Sequence, residues 1–490
     1  MSSLPSRALA VLALAACGGH ATPAAAPTPP PAVAAFPATR WVPQRPTYLF
    51  AAHDVGAAQR AVHDLFDLLA GLADVDAHEA SQALQQVLAV DPLTPESVQA
   101  IGIDVGGGFA MFSEDIDPTI VVRVASPDAI AAFFERLRQG GMVTQSVMVD
   151  GDEVFTAKLF AGMRVSWVID KDWMWVHFAL PGSTAADPTA WFAHSRHPAG
   201  AAWLADWSWA QALSSAADVV GVMDLRSVVA SILARAHGAM QCTHLVDPVQ
   251  RVGLAFDGDL HHASARIALD LGPAAAGVAA STLPPPPGWT GVASGAPLAV
   301  QMNLDLEALQ RFLKPCNDAL GIDDSALSSA RFRSGRAVLL ALDGDGGWGS
   351  GAIALDIRDR SYFAGLLDKI PLRSHLESDR SYGAVHGKRV AIPFKGPVDY
   401  VLDDRHAMIA VGDGVMDRLF AGAAPADPPL VAIDLVPGGL SPEAWSALLG
   451  LVDAPHIKRT VRRLMAWHDG HLALSLSGSA LVLQASGTRR

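Results

Sequence analysis

The chain has 490 residues, 50% of them hydrophobic and 17% charged, with 36 basic against 49 acidic side chains and a formal net charge of -13. That balance excludes nucleic acid as a partner, because phosphate binding needs clustered cations that this sequence lacks. The apolar content is enough for substantial cores, and the length predicts two to four domain-sized units.

From the amino terminus, Arg7 precedes an apolar run from Ala8 to Leu14, far short of the roughly 20 residues a bilayer-spanning helix needs. Leu14-Ala15-Ala16-Cys17 follows, and this small-residue box ending in cysteine resembles the processing site of bacterial lipoproteins. The resemblance implies that residues 1–16 are a removed signal peptide. It further implies that Cys17 carries the lipid and that the membrane is reached through this anchor, two or more acyl chains holding where one does not. Gly18 stands where inner-membrane retention uses aspartate, so the resemblance points to the outer membrane, facing the periplasm or the surface. Residues 18–40 hold six prolines and eight alanines without an acid or a lysine. With Cys17 they are expected to form an extended tether over residues 17–40.

The body reads as a duplication. Pro46 to Asp54, a strand-like run ending in a helix-capping aspartate, has the same form as Pro297 to Asp305, 251 positions later. Ile101-Gly102-Ile103-Asp104 is matched by Leu320-Gly321-Ile322-Asp323, each leading into strands. Ser126-Pro127-Asp128 and Asp359 then predict helix starts. Ile130, Phe133, Phe134 and Leu137 are answered by Phe363, Leu366, Leu367 and Ile370 at a constant offset of 233, a helical spacing in both copies. Hairpins at 165–178 and 398–411 keep that offset. Strands at 219–225 and 430–435 recur next, and the segment from Asp74 to Val98 reads as a helix added to the first copy. These matches predict an α+β fold of duplicated units, each a largely antiparallel sheet with helices packed on one face. The expected divisions are a first half at 41–271, a Pro/Gly/Ala-rich linker at 272–288 and a second half at 289–490. The run from Asp91-Pro92-Leu93-Thr94-Pro95-Glu96 into Ile101 to Asp104, the strands that follow and the lipobox resemble uncharacterised envelope lipoproteins of large-genome Gram-negative bacteria. No activity comes with that resemblance.

Chemistry-bearing motifs are sparse. Gly106-Gly107-Gly108 lacks the spacing of a phosphate-binding loop and reads as a strand entrance or bulge. Asp343 to Gly349 lacks the closing acid of a calcium loop and reads as an acidic turn. His194 and His197, or His261 and His262 beside Asp257 and Asp259, carry no recognisable zinc signature, so no metal or cofactor is expected. There is no Gly-x-Ser-x-Gly elbow. Trp203, Trp207 and Trp209, preceded by Trp191, form the densest aromatic group, read either as a contact patch or as packing within the first half. Cys242 and Cys316 are either a disulfide joining the halves or two separate buried thiols. The sequence therefore favours a non-enzymatic, membrane-anchored envelope lipoprotein that binds a partner protein or serves a structural role. A carrier of an apolar ligand or lipid is the alternative, with a cryptic hydrolase or metal enzyme behind it.

Overall fold

The computed structural model describes residues 35–43, 46–63, 85, 90–158, 163–179, 191–192, 217–228, 249–259, 261–308, 310–311, 331–342, 349–369, 373–393, 396–422, 425, 427–450 and 467–489. The first half supplies β1 (Tyr48–Ala52), β2 (Phe109–Ser113), β3 (Thr119–Arg123), β4 (Thr144–Val149), β5 (Asp152–Lys158), β6 (Arg164–Asp170), β7 (Trp173–Ala179), β8 (Val219–Asp224), β9 (Arg251–Gly258) and β10 (His262–Asp270). The second supplies β11 (Leu298–Met302), β12 (Phe332–Ala341), β13 (Ser350–Ile357), β14 (Glu377–Tyr382), β15 (Val385–Ile392), β16 (Gly396–Leu402), β17 (His406–Val411), β18 (Val431–Leu435), β19 (Trp467–Ser477) and β20 (Ala480–Arg489). Helices are fewer, among them α1 (Pro95–Ala100), α2 (Pro127–Gln139), α3 (Ala275–Ala280), α4 (Trp289–Ala293), α5 (Arg360–Leu367), α6 (Val415–Leu419) and α7 (Pro442–Gly450).

All the strands join one antiparallel sheet. In the first half the order from the edge inward is β4-β5-β6-β7-β3-β2-β1-β8-β9-β10. From the other edge it is β14-β15-β16-β17-β13-β12-β11-β18-β19-β20. β10 pairs with β20 at the middle, so the strand order is a palindrome. Register repeats as well as order. Thr119 faces His177 as Ala352 faces Ala410, and Phe155 faces Trp167 as Lys388 faces Tyr400, all at the offset of 233. The helix starts keep it too: Ser126 Oγ accepts from the Ala129 amide at 3.2 Å, and Asp359 Oδ1 from the Tyr362 amide at 3.1 Å.

At the opening strands the ladder corrects the sequence alignment by one residue. Leu49 pairs with Phe112 and Val222, and Ala299 pairs with Val338 and Asp434, which makes Ala299 the counterpart of Leu49 at an offset of 250. A one-residue slip would exchange the two faces of the strand. Both Leu49 and Ala299 are buried, whereas Val300 is only half-buried. The extra residue lies between strand and cap, since Asp54 and Asp305 remain 251 apart and accept the amides of Ala57 and Glu307.

Helical cover lies on both faces, not on one. Ile130 and Phe134 of α2 pack over Ile120, Val122 and Val176. Phe36 and Ala38, in and beside a 3-10 turn at Pro37–Trp41, fill the opposite face against Val121 and Ala110. In the second half α4 and α6 cover that same opposite face, with Trp289, Met416 and Leu419 over Ala299, Val338, Ala352 and Ala410. α5 corresponds to α2 but seats less fully. Phe363 is half-buried, Leu366 is 41% exposed, and Ile370 is outside the described residues.

Two segments expected to be free chain are packed. The expected tether ends before residue 40: Phe36, Ala38 and Val42 are fully buried, and Phe36 stacks on His53 at 4.5 Å while His53 Nδ1 donates to the Ala35 carbonyl. Phe36 is the one large apolar side chain in a run of small residues and prolines, and burying it outweighs the freedom of the strap. The expected linker at 272–288 is likewise folded against the body. It forms α3, bridges Thr282 to Leu304, and offers the Leu283 and Pro284 carbonyls to Arg336 Nη2 at 3.0 and 3.1 Å. The added helix expected from Asp74 to Val98 lies largely outside the described residues.

Candidate ligand-binding site

A trough of about 570 Å³ lies on the second half's sheet, on the face away from α4 and α6. Two rows of side chains floor it, each crossing β11, β12, β13 and β17. One row is Val300, Ala337, Ile353 and Ile409; the other is Leu298, Leu339, Gly351 and Val411. Strand alternation sends these positions to one face and their neighbours Ala299, Val338, Ala352 and Ala410 to the sealed core below. Leu342, Gly349 and Ser350 continue the lining beyond the second row, and Leu298, Leu339 and Leu342 are backed by Trp445 of α7. Among the described residues no charged side chain lines the trough, and Ser350 carries the one side-chain hydroxyl. Ile353 is 44% exposed at its centre. The volume falls within the range of small-molecule sites, about 300 to 1,000 Å³.

In the first half the first of these rows is filled by bulkier, half-buried side chains. Phe50, Met111, Ile120 and Val176 occupy the ladder positions of Val300, Ala337, Ile353 and Ile409. The Phe50 ring lies over Gly221, where a Cβ would come within 2.7 Å of it, while Val300 pairs with the larger Ile433. Ile120 and Val176 lie under α2. Tyr48 donates to the Ile116 carbonyl, and burial pushes its phenol up to about 12.

The polar interiors also differ between halves. On the sealed face of the first half, His177 Nδ1 lies 3.0 Å from Thr119 Oγ1, which accepts a hydrogen bond from Trp191 Nε1 at 3.1 Å. The Trp191 ring stacks on the imidazole at 4.8 Å. Burial lowers His177 to about 4. The second half has Ala352 and Ala410 at those positions. Conversely, it carries a buried bidentate pair, Arg389 to Asp399 at 2.6 and 2.8 Å, where the first half has Thr156 hydrogen-bonded to Ser166. Asp399 is fully buried, and its hydrogen bonds raise Arg389 above the usual guanidinium range. Arg336, lowered by burial, ties the linker carbonyls to Asp356 and Asn303.

Of the sequence-derived candidates, Cys17, Cys242, Cys316, Trp203, Trp207 and Trp209 lie outside the described residues, as do His194 and His197. Trp191 is packed on His177 and Phe192. His261 and His262 donate their backbone amides to Asp259 Oδ1, as in a turn, and no group of three metal-ligating side chains assembles among the described residues. Gly108 lies against Pro37, Ala38 and Trp173 at the start of β2, the strand role read from sequence. The trough residues were not singled out by sequence, because alternating apolar residues are what any half-buried strand shows.

No protein-family model matches the chain, and no curated protein matches it. Among solved structures it is similar to three crystal forms of TP0453. Form III is 10% identical with a TM-score of 0.27, over 51% of this chain and 82% of that one. Form IV is 10% identical with a TM-score of 0.28, over 51% and 87%. Form I is 11% identical with a TM-score of 0.27, over 48% and 79%.

Proposed function

We propose that this chain is a non-enzymatic envelope lipoprotein, anchored through Cys17 to the outer membrane, whose second half binds an apolar ligand. Its two halves descend from one ancestral unit of antiparallel sheet and helix. The observation that carries the binding reading is the open trough over Val300, Ala337, Ile353 and Ile409, set against the bulkier, half-buried row at the same ladder positions of the first half. A purely structural spacer gains nothing from leaving such a surface uncovered, and exposed apolar patches on soluble bodies commonly mark binding sites. The carrier reading is therefore favoured over docking of a partner protein.

N-phenylnaphthylamine, which fluoresces in apolar surroundings, tests it. Wild-type protein is expected to enhance its emission, Ile353→Lys to abolish the effect, and Ile267→Lys, at an exposed isoleucine of β10, to preserve it. Equal enhancement by all three folded proteins, or none by the wild type, would overturn the proposal.

A further inference from the structure

The shape and chemistry of the trough narrow the ligand. Its floor crosses four neighbouring strands, three inter-strand steps or about 14 Å, while the two rows are separated by two residues along each strand, about 7 Å. Leu342, Gly349 and Ser350 carry the lining about two or three residues further along the strands, so the site is about as wide as it is long. Its middle is lowered by Ala337 and Gly351, with Leu298 and Leu339 on one side and Ile353 and Ile409 on the other. The first half holds Met111 at the position of Ala337, so one truncation accounts for much of the opening.

A ligand with a buried carboxylate or phosphate would need a cationic or multiply donating partner, and among the described residues the lining offers the Ser350 hydroxyl and backbone. An ionic head must therefore stay in solvent at the open side, where the exposure of Ile353 shows that water reaches the floor.

We infer that the trough takes the acyl chain of a monomeric one-chain amphiphile whose head is left outside. This rests on the apolar-ligand reading and adds to it the class of ligand. Selectivity then follows chain length and not head chemistry. Each methylene that reaches the floor tightens binding by up to about fourfold, and the gain ends once on the order of a dozen methylenes fill the length of the trough.

Displacement of N-phenylnaphthylamine from wild-type protein by fatty acids from octanoate to stearate tests the inference. Parallel series use the matching alcohols and lysophosphatidylcholines, and vesicles of dioleoylphosphatidylcholine test the intact two-chain lipid. The expected result is affinity that climbs with chain length and then levels, with nearly coincident curves for the three heads and no displacement by vesicles at equal lipid concentration. Ala337→Met restores the side chain carried by the first half and is expected to weaken palmitate by at least about tenfold, the worth of roughly two buried methylenes. Val300→Met, at the neighbouring position of the row, serves as the second filling variant. Affinity independent of chain length, dependence on the head, displacement by vesicles, or filled variants that bind as well as wild type would each overturn the acyl-chain inference. If the probe still binds wild type and is lost in Ile353→Lys, the broader apolar-ligand proposal survives that failure; if the probe does not bind, both fall.

Discussion

Acidification from pH 7 to pH 5 should loosen the first half through His177. The imidazole is 5% exposed, stacked on Trp191, and its Nδ1 faces the Thr119 hydroxyl. An indole N–H can only donate, so the Thr119 oxygen accepts from Trp191 and keeps a second lone pair and its own proton for His177 Nδ1. His177 Nε2 is buried without a hydrogen-bond partner among the described residues. Protonating the ring would place a charge and an unsatisfied N–H in an aromatic core. The folded-state value of about 4 lies below the roughly 6.5 of an unfolded histidine, so the neutral form is the one the fold stabilises. Stability from this residue is complete above the unfolded value and is lost as pH falls from there through 4. Linkage gives a loss of about 2 kcal/mol between pH 7 and pH 5, and roughly 3 kcal/mol once both states are protonated. Urea unfolding at the two pH values, followed by tryptophan emission, measures it in wild type and in a Thr119→Ala/His177→Ala variant that carries the second half's alanines. The variant will be less stable at pH 7 but should lose about 2 kcal/mol less on acidification. Equal pH losses in the two proteins, or an imidazole titrating near 6.5 by NMR, would refute the reasoning.

Other perturbations read different parts of the molecule. Arg389→Met strands the fully buried Asp399 and should cost about 3 to 5 kcal/mol in denaturant unfolding, whereas Arg389→Thr/Asp399→Ser, which imports the Thr156–Ser166 pair, should recover most of that loss. Phe36→Ala empties the socket beside His53 and should destabilise by about 3 to 5 kcal/mol; a variant as stable as wild type would return this strap to the tether. Mass spectrometry of the envelope protein should find an acylated Cys17 at its amino terminus, and Cys17→Ser should remain unprocessed or be released. An unmodified terminus elsewhere would remove the anchor.

Sequence made the repeat legible where side chains are large and spacing is rigid. The 233-residue offset of α2 and α5 extends through β3 to β7 and β13 to β17 because no insertion interrupts those ladders. It misled by one residue at β1, where small and large apolar residues alternate too weakly to fix which face is buried. The β4–β5 hairpin had a readable signal in Asp150-Gly151, both at positive φ, between two β-prone runs. Its counterpart did not, since Glu377, Asp379 and Arg380 mask the pattern on β14. The trough was illegible for another reason. Ala337 means nothing alone, and becomes informative only when Met111 is known to occupy the same ladder position.

The pairing of β10 with β20 has a consequence for how the halves came to differ. Following the ladders from β3 and β13 places the two strands 218 residues apart, and Arg266 pairs with Gln484, its own counterpart at that offset. This is the isologous contact of a twofold homodimer, written into one chain. In a true homodimer every substitution appears twice, so opening one trough opens both, and a charged pair buried in one subunit is buried in the other. A single chain joined through the packed segment at 272–288 is free of that constraint. One half can then carry the amino-terminal strap and the buried Thr119, His177 and Trp191 while the other keeps its surface open.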